Sequence, residues 1–302
     1  MAEQTVVCVL GMHRSGTSVV TRLLNLLGVD LGPAESLMDP TRDNAHGYWE
    51  HQRIIDLNDD VLARLGGTWY EPPPIAPEVF AGPDFADLRR AARRLVAADF
   101  GASRLWGWKD PRVCLLLPFW QLIVPSARYV ICVRNPADVA RSMARAVDKV
   151  DRGLELWLRY TSDALTHTRG QPRLLLVYED VMRDWHGELA RLATFIGAGR
   201  RFEKATRAAQ AEKLVDEKLW RNRTDLADSL DDPRIDFPAK ALYLALLLVR
   251  RLQPGSEEAL PHAALEGFAA AALASADQGA AVSRPPVDAA SVGALRERET
   301  AG

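Results

Sequence analysis

The first eighteen residues restrict the fold more than any other stretch. Val6-Val7-Cys8-Val9-Leu10 is an apolar, mostly β-branched run that reads as a strand, and the loop Gly11-Met12-His13-Arg14-Ser15-Gly16-Thr17-Ser18 follows it. Val19, Val20, Leu23, Leu24, Leu26 and Leu27 then recur at helical spacing. A strand, a glycine-bearing loop and a helix in this order aim backbone N–H groups and a helix N-terminus at one point, which favours a bound phosphate or sulfate. The plainer alternative is an ordinary turn between strand and helix.

The spacing G-x-x-x-x-G matches a nucleotide-triphosphate loop, but Thr17 stands where its Lys belongs, and Arg14 supplies the cation instead. Triphosphate transfer is thereby disfavoured. An anion without bound Mg²⁺ can still be held by Arg14, two hydroxyls and the loop amides.

Other charged residues also follow strands. Leu105-Trp106-Gly107-Trp108 leads into Lys109-Asp110-Pro111-Arg112 and then an apolar helix from Val113 to about Val124, so this turn is a second site candidate. Its structural alternative pairs Asp110 with Arg112. Arg128 to Val133 is an unbroken strand, suited to a sheet covered on both faces. After it, Asn135 suits an N-cap, Pro136 the first helical position and Asp138 the first turn. Capping leaves Arg134 unexplained, because a positive helix end disfavours its charge; an anion there would offset that cost, and Ser142, two turns on, could share it. A strand from Leu174 to Tyr178 ends in Glu179-Asp180, which could imitate the acidic metal site of a triphosphate hydrolase. The elements thus alternate as β-α-α-α-β-α-β-α-α-β-α. This pattern argues for an α/β fold with a central parallel sheet flanked by helices and a ligand outside the carboxyl ends of its strands.

The chain resembles the sulfotransferases, of bacterial type, that use 3′-phosphoadenosine 5′-phosphosulfate (PAPS). Their loop [K/R]-S-G-T-[T/S] is reproduced by Arg14 to Ser18, and their pattern R-N-P-x-D-V-A-x-S by Arg134 to Ser142. Tyr178-Glu179-Asp180 supplies a third match, and the likeness runs from residue 5 to about 197. It implies a P-loop-like nucleotide-binding fold and transfer of a sulfuryl group from PAPS, without metal, to a hydroxyl or amine of a small-molecule, carbohydrate or lipid acceptor. Arg14, Ser15, Gly16, Thr17 and Ser18 would hold the 5′ side of the donor, Arg134 and Ser142 the 3′-phosphate, and Tyr178 the adenine. Lys109 corresponds to the family's Lys beside the transferred sulfate. The His that many cytosolic relatives use as base is replaced by Pro111. Other relatives carry a Glu about twenty residues after the loop cation, which makes Glu35 the first choice of base, Glu50 the second, and His46 and His51 more remote ones. The family's late Arg-Lys-Gly motif is absent, leaving Arg221 or Arg223 to contact the 3′-phosphate.

The chain has 302 residues and net charge −2, enough for a large core and giving no overall basic field for nucleic acid or anionic membrane. Three cysteines, Cys8, Cys114 and Cys132, lie in or beside apolar runs without a C-x-x-C pair, which suggests reduced core thiols in a cytoplasmic protein. The six histidines show no ligand spacing. The longest apolar run, Ala241 to Val249, falls well short of the ~20 residues that span a bilayer, and no leader signal precedes the first strand. Residues 1–200 are read as the nucleotide-binding core, 201–278 as its helical continuation with helices near 203–215, 237–252 and 262–276, and 279–302 as a disordered tail. The Pro-rich segment 71–81 reads as a surface connection or substrate lid, too polar for core, and Arg89, Arg90, Arg93 and Arg94 as a solvated helix face. A kinase with a degenerate loop and a non-catalytic nucleotide-binding module remain as other readings, and the sequence fixes neither acceptor nor oligomeric state.

Overall fold

Four strands, β1 (Thr5–Leu10), β2 (Leu105–Lys109), β3 (Arg128–Val133) and β4 (Arg173–Val177), form one parallel sheet in the order β2-β1-β3-β4. The computed structural model describes residues 4–40, 47–147, 150–215, 220 and 222–252, without the side chains of 145–147, 150, 151 and 252. Val7 pairs with Gly107 on one side of β1, and Leu10 with Ile131 on the other. The strands carry apolar residues continuously because both sheet faces are covered. Alternation then divides them: Val6, Cys8 and Leu10 enter one core cluster, Val7 and Val9 a second.

Helix α1 (Thr17–Leu26) leaves β1 and packs on the second face through Val20, Leu23 and Leu24. Helices α2 (Gln52–Arg64), α3 (Ala86–Phe100) and α4 (Val113–Gln121) bury Ile54, Val61, Leu88, Leu95 and Phe119 in the first cluster. The paired helices α5 (Pro136–Val147) and α6 (Val150–His167) join the same side. After β4 come α7 (Tyr178–Arg183), α8 (Trp185–Phe195) and α9 (Phe202–Ala211), of which α8 and α9 return to the α1 face. Two more follow, α10 (Leu226–Asp231) and α11 (Phe237–Leu252), the latter burying Leu242, Tyr243 and Leu246 in the first cluster. Because α1 and α4 lie on opposite faces, the chain reverses its direction of winding about β1, and such a reversal opens a crevice at the carboxyl ends of the strands.

The sequence pattern locates these elements to within a few residues, and the departures have local causes. Lys109 closes β2 rather than following it, and Tyr178 opens α7 rather than ending β4. The six-residue helices α7 and α10 are too short to show a period of 3.6. Segment 71–81 does enter the core: its 3₁₀ turn Pro77–Ala81 buries Phe80 fully against Phe85 and Phe119. Arg89, expected in solvent, donates to the carbonyls of Phe80 and Gly82, whereas Arg90, Arg93 and Arg94 are exposed. Cys8, Cys114 and Cys132 are free and buried. No helix among the described residues is long and apolar enough to cross a membrane. The expected helix near 262–276, the tail beyond 279, His46 and Arg221 lie outside the described residues.

Candidate active site

The loop after β1 is built on left-handed backbone. Arg14 has φ 69° and Gly16, the N-cap of α1, has φ 83°. The Ser15 N–H closes this turn on the Met12 carbonyl at 3.1 Å, and the loop leads straight into the first turn of a ten-residue helix, whose N-terminal N–H groups have no intrahelical acceptor. Gly11 lies so close to β3 that an added Cβ would stand 2.6 Å from the Cys132 carbonyl oxygen, and its N–H donates to Cys114 Sγ at 3.1 Å. Ser15 is 1% exposed, and its Oγ finds no hydrogen-bond partner among the described residues. A buried hydroxyl left unsatisfied beside a helix N-terminus fits a bound oxyanion.

Lys109 brings a second cation to the same place. Its side chain is 1% exposed, and Nζ donates to Ser18 Oγ at 3.3 Å and, more closely, to Glu50 Oε1. Burial pushes the Glu50 carboxyl above its ordinary range, while the Lys109 charge pulls it back down. The next residue serves the fold. Asp110, fully buried, accepts from Asn58 Nδ2 (2.7 Å), from the Arg112 backbone N–H (3.0 Å) and from Arg112 Nη1 (3.1 Å). Asn58 in turn accepts from Trp120 Nε1 at 2.8 Å, and Arg112 Nε reaches Asp59. The Asp110–Arg112 pair therefore exists alongside the Lys109 contact, and this network fixes the turn that follows Lys109 at the end of β2.

At the end of β3, the Arg134 guanidinium lies over the Tyr178 ring, its carbon 4.5 Å from the centroid. Nη1 donates to the Arg14 carbonyl and Nη2 to the Asn222 carbonyl, each at 3.1 Å, while Nε is buried without a partner among the described residues. Arg14 Nε donates to Ser142 Oγ at 2.9 Å, joining the first loop to α5. Asn135 caps α5 by accepting from the Ala137 N–H, and its own N–H donates to Glu179 Oε1 at 3.0 Å. The acidic pair after β4 thus supplies a structural acceptor.

Residues 7–201 match the profile of a family described as the Sulfotransferase family. The chain belongs to the sulfotransferase family. Among solved structures it is similar to the sulfotransferase domain from the curacin biosynthetic pathway, at 18% identity and TM-score 0.41, covering 64% of this chain and 74% of that one. The sulfotransferase domain from the Synechococcus PCC 7002 olefin synthase also matches, at 18% identity and TM-score 0.41, covering 99% and 94%. No curated protein matches it significantly.

Within this sulfotransferase the expected site residues divide by position. Arg14, Ser18, Lys109 and Glu50 form one linked group with the loop, and Arg134, Ser142 and Tyr178 adjoin it through Arg14 and Gly16. Glu35 lies in an exposed 3₁₀ turn, Ala34–Ser36. Buried His51 contacts Asp99 of α3 at 3.0 Å. Arg223 stacks on Trp220 at 4.5 Å, and the Trp220 ring meets Tyr178 edge-on at 6.4 Å. The residues just beyond them carry contacts that the sequence does not signal: the Thr224 backbone N–H and hydroxyl both donate to Asp138, and Ser229 Oγ accepts from Asn135 Nδ2. Isolated polar residues of this kind carry no periodic signal. Also unforeseen, His13 packs on Trp69 at 4.6 Å, and burial with the Arg112, Lys109 and Arg14 charges holds it well below the ordinary His range. Trp69 thereby ties the 66–83 connection to the phosphate loop.

Proposed function

We propose that this sulfotransferase moves a sulfuryl group from PAPS to a hydroxyl or amine of a small-molecule, carbohydrate or lipid acceptor, releasing adenosine 3′,5′-bisphosphate. The observation that carries the reading is the buried Lys109–Glu50 pair beside Ser18, a cation and a base set together at the mouth of an anion-binding loop. The loop amides, Ser15, Thr17 and Ser18 hold the 5′-phosphosulfate, and Arg134 and Ser142 the 3′-phosphate. The orphaned Ser15 Oγ and Arg134 Nε are consistent with those roles. Tyr178 and Trp220 border the adenine, with Arg223, or Arg221, adding charge late in the chain.

Glu50 takes the acceptor's proton, the acceptor oxygen or nitrogen bonds to sulfur, and the bond from sulfur to the bridging oxygen breaks. Charge then grows on the departing 5′-phosphate oxygen, where Arg14, Lys109 and the loop amides oppose it. Contact with Lys109 favours Glu50 over the exposed Glu35, and a carboxyl raised by burial is a stronger base near neutral pH. Ligand-dependent melting tests the donor. Adenosine 3′,5′-bisphosphate should raise Tm without Mg²⁺, and ATP much less; protection by Mg²⁺-ATP alone would contradict the proposal.

A further inference from the structure

Trp49 adopts φ 58°, in the left-handed region where a bulky L residue is rare. Such a conformation persists only when its surroundings over-determine it, and it collects at functional sites. Here the surroundings can be named. The Arg22 guanidinium of α1 lies 4.5 Å over the indole, and Arg22 is itself held by Glu212 Oε2 at 2.9 Å and by Asn25 Oδ1. The half-buried indole also packs on the second core cluster, against the face that α1 occupies.

On the other side of Glu50, His51 bridges to Leu37 and contacts Asp99, while the Glu50 carbonyl accepts from the Met38 N–H at 2.9 Å. The two neighbours of Glu50 are therefore fastened to different parts of the fold, one to α1 and one to α3. Between them the Glu50 side chain goes to Lys109. The indole Nε1 is buried without a hydrogen-bond partner among the described residues, so shape and stacking, not a hydrogen bond, hold the ring.

We propose that Trp49 is a positioning residue: its left-handed backbone, locked by an indole clamped on the helix of the phosphate loop, directs Glu50 into contact with Lys109. The inference rests on Glu50 being the base. It makes the base and the anion loop parts of one rigid unit joined through Arg22, so a disturbance at the Arg22–Trp49 stack reaches the chemistry without touching donor or acceptor.

The test uses the full chain and PAPS with water as acceptor, followed by release of adenosine 3′,5′-bisphosphate and sulfate. In that reaction a water oxygen bonds to sulfur, the sulfur–oxygen bond to the 5′-phosphate breaks with its electron pair leaving on the phosphate, and the water's proton passes to Glu50. Trp49→Phe keeps the ring and drops the orphaned N–H; it should keep release within about twofold and Tm unchanged or higher. Trp49→Gly relieves the backbone but frees Glu50; release should fall about tenfold or more with bisphosphate affinity held, and the acidic limb of the pH profile should move down toward the ordinary carboxylate range. Should Trp49→Gly fail to fold, Arg22→Ala removes the cation over the ring together with its contacts to Glu212 and Asn25, and Glu212→Ala removes the Glu212 contact alone; a reduced rate with held affinity is expected of Arg22→Ala and not of Glu212→Ala. A lowered Tm with unchanged rate and pH profile would reduce Trp49 to core filling. Glu50→Gln separates the two ideas: if it still releases product at the wild-type rate, the base assignment fails and this proposal with it, whereas an inactive Glu50→Gln beside an unaffected Trp49→Gly overturns the positioning role alone.

Discussion

The Tyr178 ring lies against Gly16 so closely that a methyl group added there would stand 2.2 Å from Tyr178 Cδ2. Gly16 combines this contact with φ 83°, so Gly16→Ala meets both backbone strain and a clash. A cost of about 1–3 kcal/mol is expected from the backbone alone, with at least tenfold weaker binding of adenosine 3′,5′-bisphosphate. Tyr178→Ala in the same chain should restore part of the stability loss, because it removes the clash; a double-mutant cycle in Tm measures that coupling.

Arg134→Ala should weaken adenosine 3′,5′-bisphosphate by about 2 kcal/mol, roughly thirtyfold, and spare adenosine 5′-phosphosulfate, which lacks the 3′-phosphate. Arg134 also donates to the Arg14 and Asn222 carbonyls, so a modest fall in Tm is expected as well. Titration calorimetry with both nucleotides resolves the two effects, and equal losses would assign Arg134 to the loop rather than to the 3′ side.

The Glu50 carboxyl titrates above its ordinary range through burial, and Lys109 opposes that rise. Activity should therefore decline on acidification through a pKa above the usual Glu value, and Lys109→Met should move that limb to higher pH while lowering the maximum rate. For stability the sign is opposite. A raised folded-state pKa favours the protonated form, so this group's contribution is greatest below its unfolded pKa and is lost as pH rises through the folded one. Glu50→Gln should cut turnover about 10²- to 10⁴-fold, and Glu35→Gln should leave it nearly unchanged. The reverse order would return the role to Glu35.

Asp110→Ala would leave the buried Arg112 without its closest carboxylate neighbour along the chain and Asn58 without its acceptor. Loss of one partner from a buried pair costs about 3–5 kcal/mol, so urea unfolding should show a large fall in stability. Asp59 still holds Arg112 Nε and sets a limit to the damage.

Much of this site can be read along the chain because its parts carry local chemistry. Arg14, Gly16, Lys109, Arg134 and Tyr178 each stand at or just after a strand, and parallel strands deliver such residues to one edge whatever their separation in sequence. Asn135 was recognisable as a cap because capping needs only its neighbours. Glu50 could not be ranked in that way. Its entry into the site depends on a left-handed Trp49, a bridge between Leu37 and His51, and a cation-π contact with Arg22, none of which has a sequence period. Phe80 and the Thr224–Asp138 clasp were missed for the same reason, since each is fixed by a long-range partner inside a segment whose composition reads as loop.

The most direct measurement follows PAPS itself, incubated with the purified chain in chelator and analysed by mass spectrometry for adenosine 3′,5′-bisphosphate and for sulfate on water or on an added acceptor pool. The account expects bisphosphate release without Mg²⁺, cut about 10²- to 10⁴-fold by Glu50→Gln and lowered by Lys109→Met. Inert PAPS together with Mg²⁺-dependent release of phosphate from ATP would contradict it.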